Sequence, residues 1–161
     1  MAKIKTIRSG GQTGVDRGAL DAARSLGIPI SGWCPQGGLA EDYPDPPGLL
    51  SAYPELIETA SDDYYERTEW NVRDADATLI LQPHEIADSP GTNYTIEIAQ
   101  KLGRAHLVIN DIEIGSVVTW LDGLGNDLEL NVAGPRERFF PGMYDLTFNL
   151  IVELLKHYSE K

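Results

Sequence analysis

Two glycine turns, each set directly ahead of a helical pattern, hold the residues best suited to chemistry. The first is Ser9-Gly10-Gly11-Gln12-Thr13-Gly14-Val15-Asp16-Arg17, which follows the β-branched run Ile4–Ile7 and opens an alanine- and leucine-rich segment. The second is Ser89-Pro90-Gly91-Thr92. At a helix start the N–H groups point outward unpaired and the macrodipole favours negative charge. Glycine also lets an anion approach the backbone closely. Each turn is therefore a candidate cradle for a phosphate or other oxyanion, and two of them facing one crevice would hold an anion without net positive charge. The first turn matches neither G-x-x-x-x-G-K-[ST] nor G-x-G-x-x-G. The plainer use of Thr13 and Thr92 is as helix caps.

Charged side chains near these turns have two readings each. Asp16 either complements the dipole of the first helix or hydrogen-bonds a polar edge of the ligand. Arg73 either reaches the pocket or pairs on a solvated face with Glu66, Glu69 or Asp74, an i, i+4 spacing worth ~0.2–0.5 kcal/mol. Arg136 and Arg138, after the last predicted strand, are better placed for the planar, bidentate grip that arginine gives phosphate or carboxylate. Of the two, Arg136 is the stronger candidate. His84, His106 and His157 fit no metal-ligand spacing, so no metal site is expected. Cys34 reads as a buried free thiol and Trp33 as core or interface. No nucleophile triad assembles, and no catalytic residue is assigned.

The elements that must position these residues alternate. The pattern predicts strands at 4–9, 29–34, 77–81, 106–110 and 128–133, with a short extra one at 56–60. Helices are expected at 15–26, 63–74, 92–102, 114–121 and 143–158. Residues 35–48, with four prolines and three glycines, read as a long loop. Such alternation implies an α/β fold, Rossmann-like and doubly wound, whose mostly parallel sheet carries helices on both faces. Ligands then bind beyond the carboxyl ends of the strands, near the topological switch point. Most of the glycine, proline and polar clusters fall on that edge.

At 161 residues the chain is expected to form one domain, 1–161. A formal net charge of −12 argues against nucleic-acid partners, which need clustered Lys and Arg. An anionic ligand must be gripped by local devices instead of the overall field. One cysteine excludes an internal disulfide. No signal-peptide pattern or membrane-length apolar run is present, so the cytoplasm is the expected compartment and no membrane partner is expected.

SGGQTGVDRGALDAA resembles the signature of the SLOG superfamily, in the YpsA-related branch whose members are called molybdenum-cofactor carriers. Trp70–Ala77, Ser89–Thr92 with Thr95, and Asn131–Arg136 resemble later blocks of the same branch, in the same order. More distant similarity runs to the lysine-decarboxylase-like, or lonely-guy, proteins. The resemblance implies a binder or carrier of a phosphorylated small ligand, either molybdenum cofactor (molybdopterin) or a nucleotide, in a homo-oligomer (dimer or tetramer). It implies a pocket of Gly10, Gly11, Gln12, Thr13, Gly14, Asp16, Arg73, Gly91, Thr92 and Arg136. The phosphoribohydrolases of the superfamily carry P-G-G-x-G-T-x-x-E with a catalytic glutamate, where this chain has Thr95; Glu97 lies about 200° further round the helix. A nucleotide-processing enzyme and a nucleotide-sensing regulatory domain are the alternative readings.

Overall fold

In a computed structural model that describes residues 2–84 and 89–159, the β-branched start of the chain forms β1 (Ile4–Arg8). The glycine turn follows, and the alanine-rich segment is α1 (Val15–Ser25). The predicted strand 29–34 divides into β2 (Ile30–Ser31) and β3 (Trp33–Cys34). Gly32 causes the division: with φ at 150° its backbone passes over the Ser9 carbonyl, whose oxygen would lie 1.9 Å from any Cβ there. β2 stays in the main sheet, whereas β3 leaves it and pairs in parallel with the short strand β4 (Ile57–Glu58). Between them lie a single 3₁₀ turn at Gln36–Gly38 and α2 (Leu49–Ala52), structure that the proline-rich composition hides.

The remainder is α3 (Tyr64–Asp74), β5 (Ala77–Leu81), α4 (Pro90–Leu102), β6 (Ala105–Ile109), α5 (Gly115–Asp122), β7 (Leu128–Ala133) and α6 (Met143–Ser159). α4 begins two residues earlier than the pattern predicts, because Pro90 occupies the first turn, where its missing N–H costs nothing. The main sheet is a Rossmann-like one of order β2-β1-β7-β5-β6, and every pairing in it is parallel. β5 is buried along its whole length, as a parallel strand covered on both faces must be.

Two apolar layers confirm the double winding. Leu79, Leu81, Leu128, Leu130 and Val132 join one core with Val15 and Leu20 of α1, Val117 and Leu121 of α5, and Ile151 and Leu154 of α6. A smaller cluster, Val72, Ile98 and Ala99, joins α3 to α4. Among the described residues no helix is long and apolar enough to cross a membrane.

The strand order has a hidden regularity. Counted from β5 and carried through the two chain ends, the main-sheet strands read 2-1-3-4-5, the other common doubly wound order. The ends are close enough for this: Lys3 Nζ stands 5.8 Å from the Tyr158 ring centre. The switch point falls between β5 and β7, where successive crossovers diverge.

α1 and α6 lie so close that a Cβ on Gly18 would sit 2.6 Å from the Tyr144 carbonyl oxygen and 3.1 Å from Thr147 Cβ. Gly18→Ala gains up to ~1 kcal/mol of helix propensity yet is expected to lower stability by ~1–3 kcal/mol through overpacking. The buried Thr147 hydroxyl has no hydrogen-bond partner among the described residues. Thr147→Val should therefore leave stability unchanged or raise it by up to ~1 kcal/mol, removing an unsatisfied polar group at nearly constant shape. Urea unfolding of both variants reads both signs.

Candidate functional site

A cavity of about 350 Å³ opens at the switch point, between the carboxyl ends of β5 and β7. Four segments wall it. The turn after β1 gives Gln12 and Asp16, and the start of α3 gives Asp63, Tyr64, Tyr65 and Arg67. The first turns of α4 give Ser89 to Thr92, Tyr94 and Thr95, while the segment after β7 gives Ala133 to Arg136, Arg138 and Phe139.

The start of α3 is fixed by Asp63, whose carboxylate accepts the Tyr65 N–H at 2.6 Å in an N-cap. That cap aims Tyr64 and Tyr65 at the cavity and Arg67 one turn further on. Tyr65 packs edge to face on Tyr94 of α4, centroids 4.7 Å apart. The Arg136 guanidinium lies 4.7 Å from the Tyr64 ring centre and that of Arg67 5.6 Å from it. Flat aromatic walls and cations thus alternate around one opening.

Beneath them, Asp16 is 5 % exposed and accepts Arg67 Nη1 at 3.0 Å and the Gln12 N–H at 3.3 Å, both on Oδ2. Burial pushes its carboxyl above the ordinary 3.8, with Arg67 and the Gln12 N–H pulling the other way. Glu41 organises the second cluster. Its Oε1 accepts Arg136 Nη1 at 3.1 Å and pairs with Arg138 Nε at 3.3 Å, and its Oε2 accepts the Thr13 hydroxyl at 2.9 Å.

Of the residues singled out from sequence, Gln12, Asp16, Gly91, Thr92 and Arg136 meet at the cavity. Gly10, Gly11, Thr13 and Gly14 lie outside its lining. A Cβ on Gly10 would strike Arg67, one on Gly11 would press on Leu49, and one on Gly14 (φ +80°) would strike the Pro135 carbonyl. The N–H groups of this turn are largely spent inside the protein. Gly11 donates to Ser9 Oγ, Gln12 to Asp16, Thr13 to Gln12 Oε1 and Val15 to the Pro135 carbonyl.

Arg73 stands on the surface, paired with Asp74 at 2.7 Å and set over Trp70. At Gly91, by contrast, a Cβ would meet nothing within 4 Å, so packing does not require the glycine. Ser89 gives α4 no side-chain cap; its hydroxyl takes that of Thr92 instead. The Thr95 hydroxyl donates to the Gly91 carbonyl, and Glu97 is exposed and outside the lining.

Arg67, Tyr64, Tyr65 and Tyr94 were not legible as site residues. One signal would have found the first three. If the short strand at 56–60 is given a parallel partner, its carboxyl end opens on the ligand edge and brings the start of α3 with it. Cys34 is buried outside the lining, and burial, with Glu58 nearby, pushes its thiol up to about 11. Among the described residues no group of three or more His, Cys, Asp or Glu is placed to hold a metal ion.

The model of the circularly permutated YpsA SLOG family matches residues 7–155. The crystal structure of a "putative molybdenum carrier protein" from Syntrophus aciditrophicus SB is 36% identical and superposes with a TM-score of 0.80, over 94% of this chain and 96% of that one. No curated protein matches the chain.

The site's back wall depends on Arg17. It donates Nε and Nη2 to the Gly11 carbonyl and grips Asp42 with Nη1 at 2.7 Å and Nη2 at 2.9 Å. The Arg17 hydrogen bond holds the Asp42 carboxyl below the ordinary 3.8. A carboxyl lowered by folding stabilises the native state above its unfolded value, and the gain disappears as pH falls through the folded value. Acid unfolding below about pH 4 should therefore be less steep in Asp42→Asn than in the wild type. Circular dichroism across pH 2–7 checks the slope.

Proposed function

This chain belongs to the circularly permutated YpsA SLOG family, and we propose that its cavity binds a phosphorylated, heterocyclic small molecule, which the protein carries without needing to transform it. One observation carries this reading. A chain of net charge −12 gathers Arg67, Arg136 and Arg138 around a single cavity, among Tyr64, Tyr65, Tyr94 and Phe139. Guanidinium groups and the start of α4 suit a phosphate; the aromatic walls suit a planar ring. A volume of about 350 Å³ is in the range of small-molecule sites.

The name borne by the Syntrophus aciditrophicus protein supports molybdenum cofactor as the cargo. Molybdopterin, a pterin that carries a phosphate, has both parts that the cavity accommodates. Gln12 Nε2, a buried donor of a lining residue with no partner among the described residues, fits such a ligand as well, since such a donor calls for an acceptor. A nucleotide has the same two-part build, and the test below separates the two.

Thermal shift and calorimetry with a pterin monophosphate, AMP and inorganic phosphate test the proposal. A ligand held only by the native state stabilises by RT ln(1 + [L]/Kd), ~2.7 kcal/mol at a hundred times Kd. The pterin is expected to shift the midpoint in this way; AMP acting alone would move the cargo to a nucleotide. Arg136→Ala should weaken binding roughly 10- to 100-fold, the loss of one charge-assisted contact. No stabilisation by either ring compound would overturn the reading.

A further inference from the structure

The floor of the cavity carries a donor and acceptor pattern that a phosphate does not use. Gln12 is 3 % exposed, and its Oε1 accepts the Thr13 N–H at 3.1 Å and the Glu41 N–H at 2.9 Å. Those two bonds fix which end of the amide is nitrogen, leaving Nε2 as a buried donor with no partner among the described residues. Arg67 spends Nη1 on Asp16, and its buried Nε likewise has none. Asp16 stands beside both with its bonds gathered on Oδ2. Donors left unmade in a buried place are costly, so two of them on lining residues that both bond Asp16 point to a ligand edge that reaches below the present surface to meet them.

Charge decides which part of the ligand goes there. Asp16 and Arg67 neutralise one another, so the floor has no positive surplus and a phosphate would face a carboxylate. The other cations lie at the rim, where Arg136 and Arg138 share the single carboxylate of Glu41, α4 presents its N-terminus, and the Asp63 carboxylate is turned to capping α3. The anionic group belongs at the rim, and a neutral polar edge belongs at the floor.

Resting on the reading of the site as a phosphorylated-heterocycle binder, we propose that Gln12, Asp16 and Arg67 recognise the edge shared by guanine and pterins: a carbonyl oxygen beside a ring N–H and an exocyclic amine. The carbonyl accepts from Gln12 Nε2 and Arg67 Nε; the ring N–H and the amine donate to the Asp16 carboxylate. A carboxylate has about four acceptor positions, and those that the Gln12 and Arg67 bonds leave open on Asp16 suit two adjacent donors. Hypoxanthine lacks the amine. Adenine presents its amine beside a ring nitrogen that accepts, leaving Asp16 one donor and one repulsive contact.

Calorimetry of the wild-type protein with GMP, a pterin monophosphate, IMP and AMP tests this directly. GMP and the pterin are expected to bind roughly 10- to 100-fold more tightly than IMP and AMP, since a site built to pair polar groups rejects a ring that leaves them unpaired. Whichever of the first two binds more tightly identifies the source of the edge. Equal affinity for all four, or preference for AMP, overturns this proposal while leaving the binding reading intact. No binding of any overturns both.

Asp16→Asn adds a second readout. It should bring GMP down to the level of IMP and favour XMP, which presents a carbonyl where guanine has its amine. A purely structural role for Asp16 would weaken all of them alike. Where the variant does not fold, the wild-type selectivity still decides.

Discussion

Everything at this site depends on the placement of β7 between β1 and β5. Parallel strands need crossovers, and crossovers that leave neighbouring strands in opposite directions cannot cover the gap between them. The last strand of the chain thus separates the two turns that sequence alone makes look alike. It also brings its own following segment, with Arg136 and Arg138, up against the first turn. Gly14 shows how tight that union is: no side chain fits between it and the backbone of residues 135–137. The cavity is what remains open on the β5 side once the β1 side has been sealed.

An acidic protein gathers several of its cations around this one cavity. Each guanidinium near the site is held by a carboxylate set behind or beside it: Arg17 by Asp42, Arg67 by Asp16, Arg136 and Arg138 by Glu41. Arg17, Arg67 and Arg136, mostly buried, have already given up rotamer freedom that a free arginine keeps. The arrangement trades some positive potential for preorganisation. It also explains why the 35–48 segment is long: it delivers both Glu41 and Asp42 to the back of the first turn, and α2 and the 3₁₀ turn hold it there.

The fold was legible because hydrophobic period and punctuation agreed at nearly every element. β5 reads as a run of apolar residues and is buried throughout, and Gly27 and Gly103 mark the ends of α1 and α4. Residues 29–34 were misjudged for a tertiary reason. Only the approach of the Ser9 carbonyl to Gly32 breaks that strand, and no local pattern encodes the approach.

Among the lining residues, Gln12, Asp16, Gly91 and Thr92 were readable because glycine turns and helix starts have a fixed chemistry, and Arg136 because it follows the last predicted strand on the same edge. Arg67 was not, since a lone arginine in a charged helix has no local mark. It acquires meaning only when β3 and β4 pair and carry α3 to the edge. Arg73 shows the converse, an arginine of the same helix turned by six residues onto the surface.

The permuted strand order explains why the more conspicuous glycine turn lies behind the cavity wall. In doubly wound folds the turn after the first strand, at the switch point, is the one that meets a phosphate. Counted from β5, that first strand is β5 itself, and its turn leads through Ser89-Pro90-Gly91-Thr92 into α4. The turn after β1 then belongs to the fourth strand, away from the switch point. Its Gly11, Gln12, Thr13 and Val15 N–H groups are satisfied internally, and the residues it sends to the cavity do so by their side chains, Gln12 and Asp16. The two turns therefore differ in kind: a helix start that still has room, at Gly91, and an inner turn that presents an amide and a carboxylate. The order of the strands, not the density of glycine, decides which turn lies at the switch point.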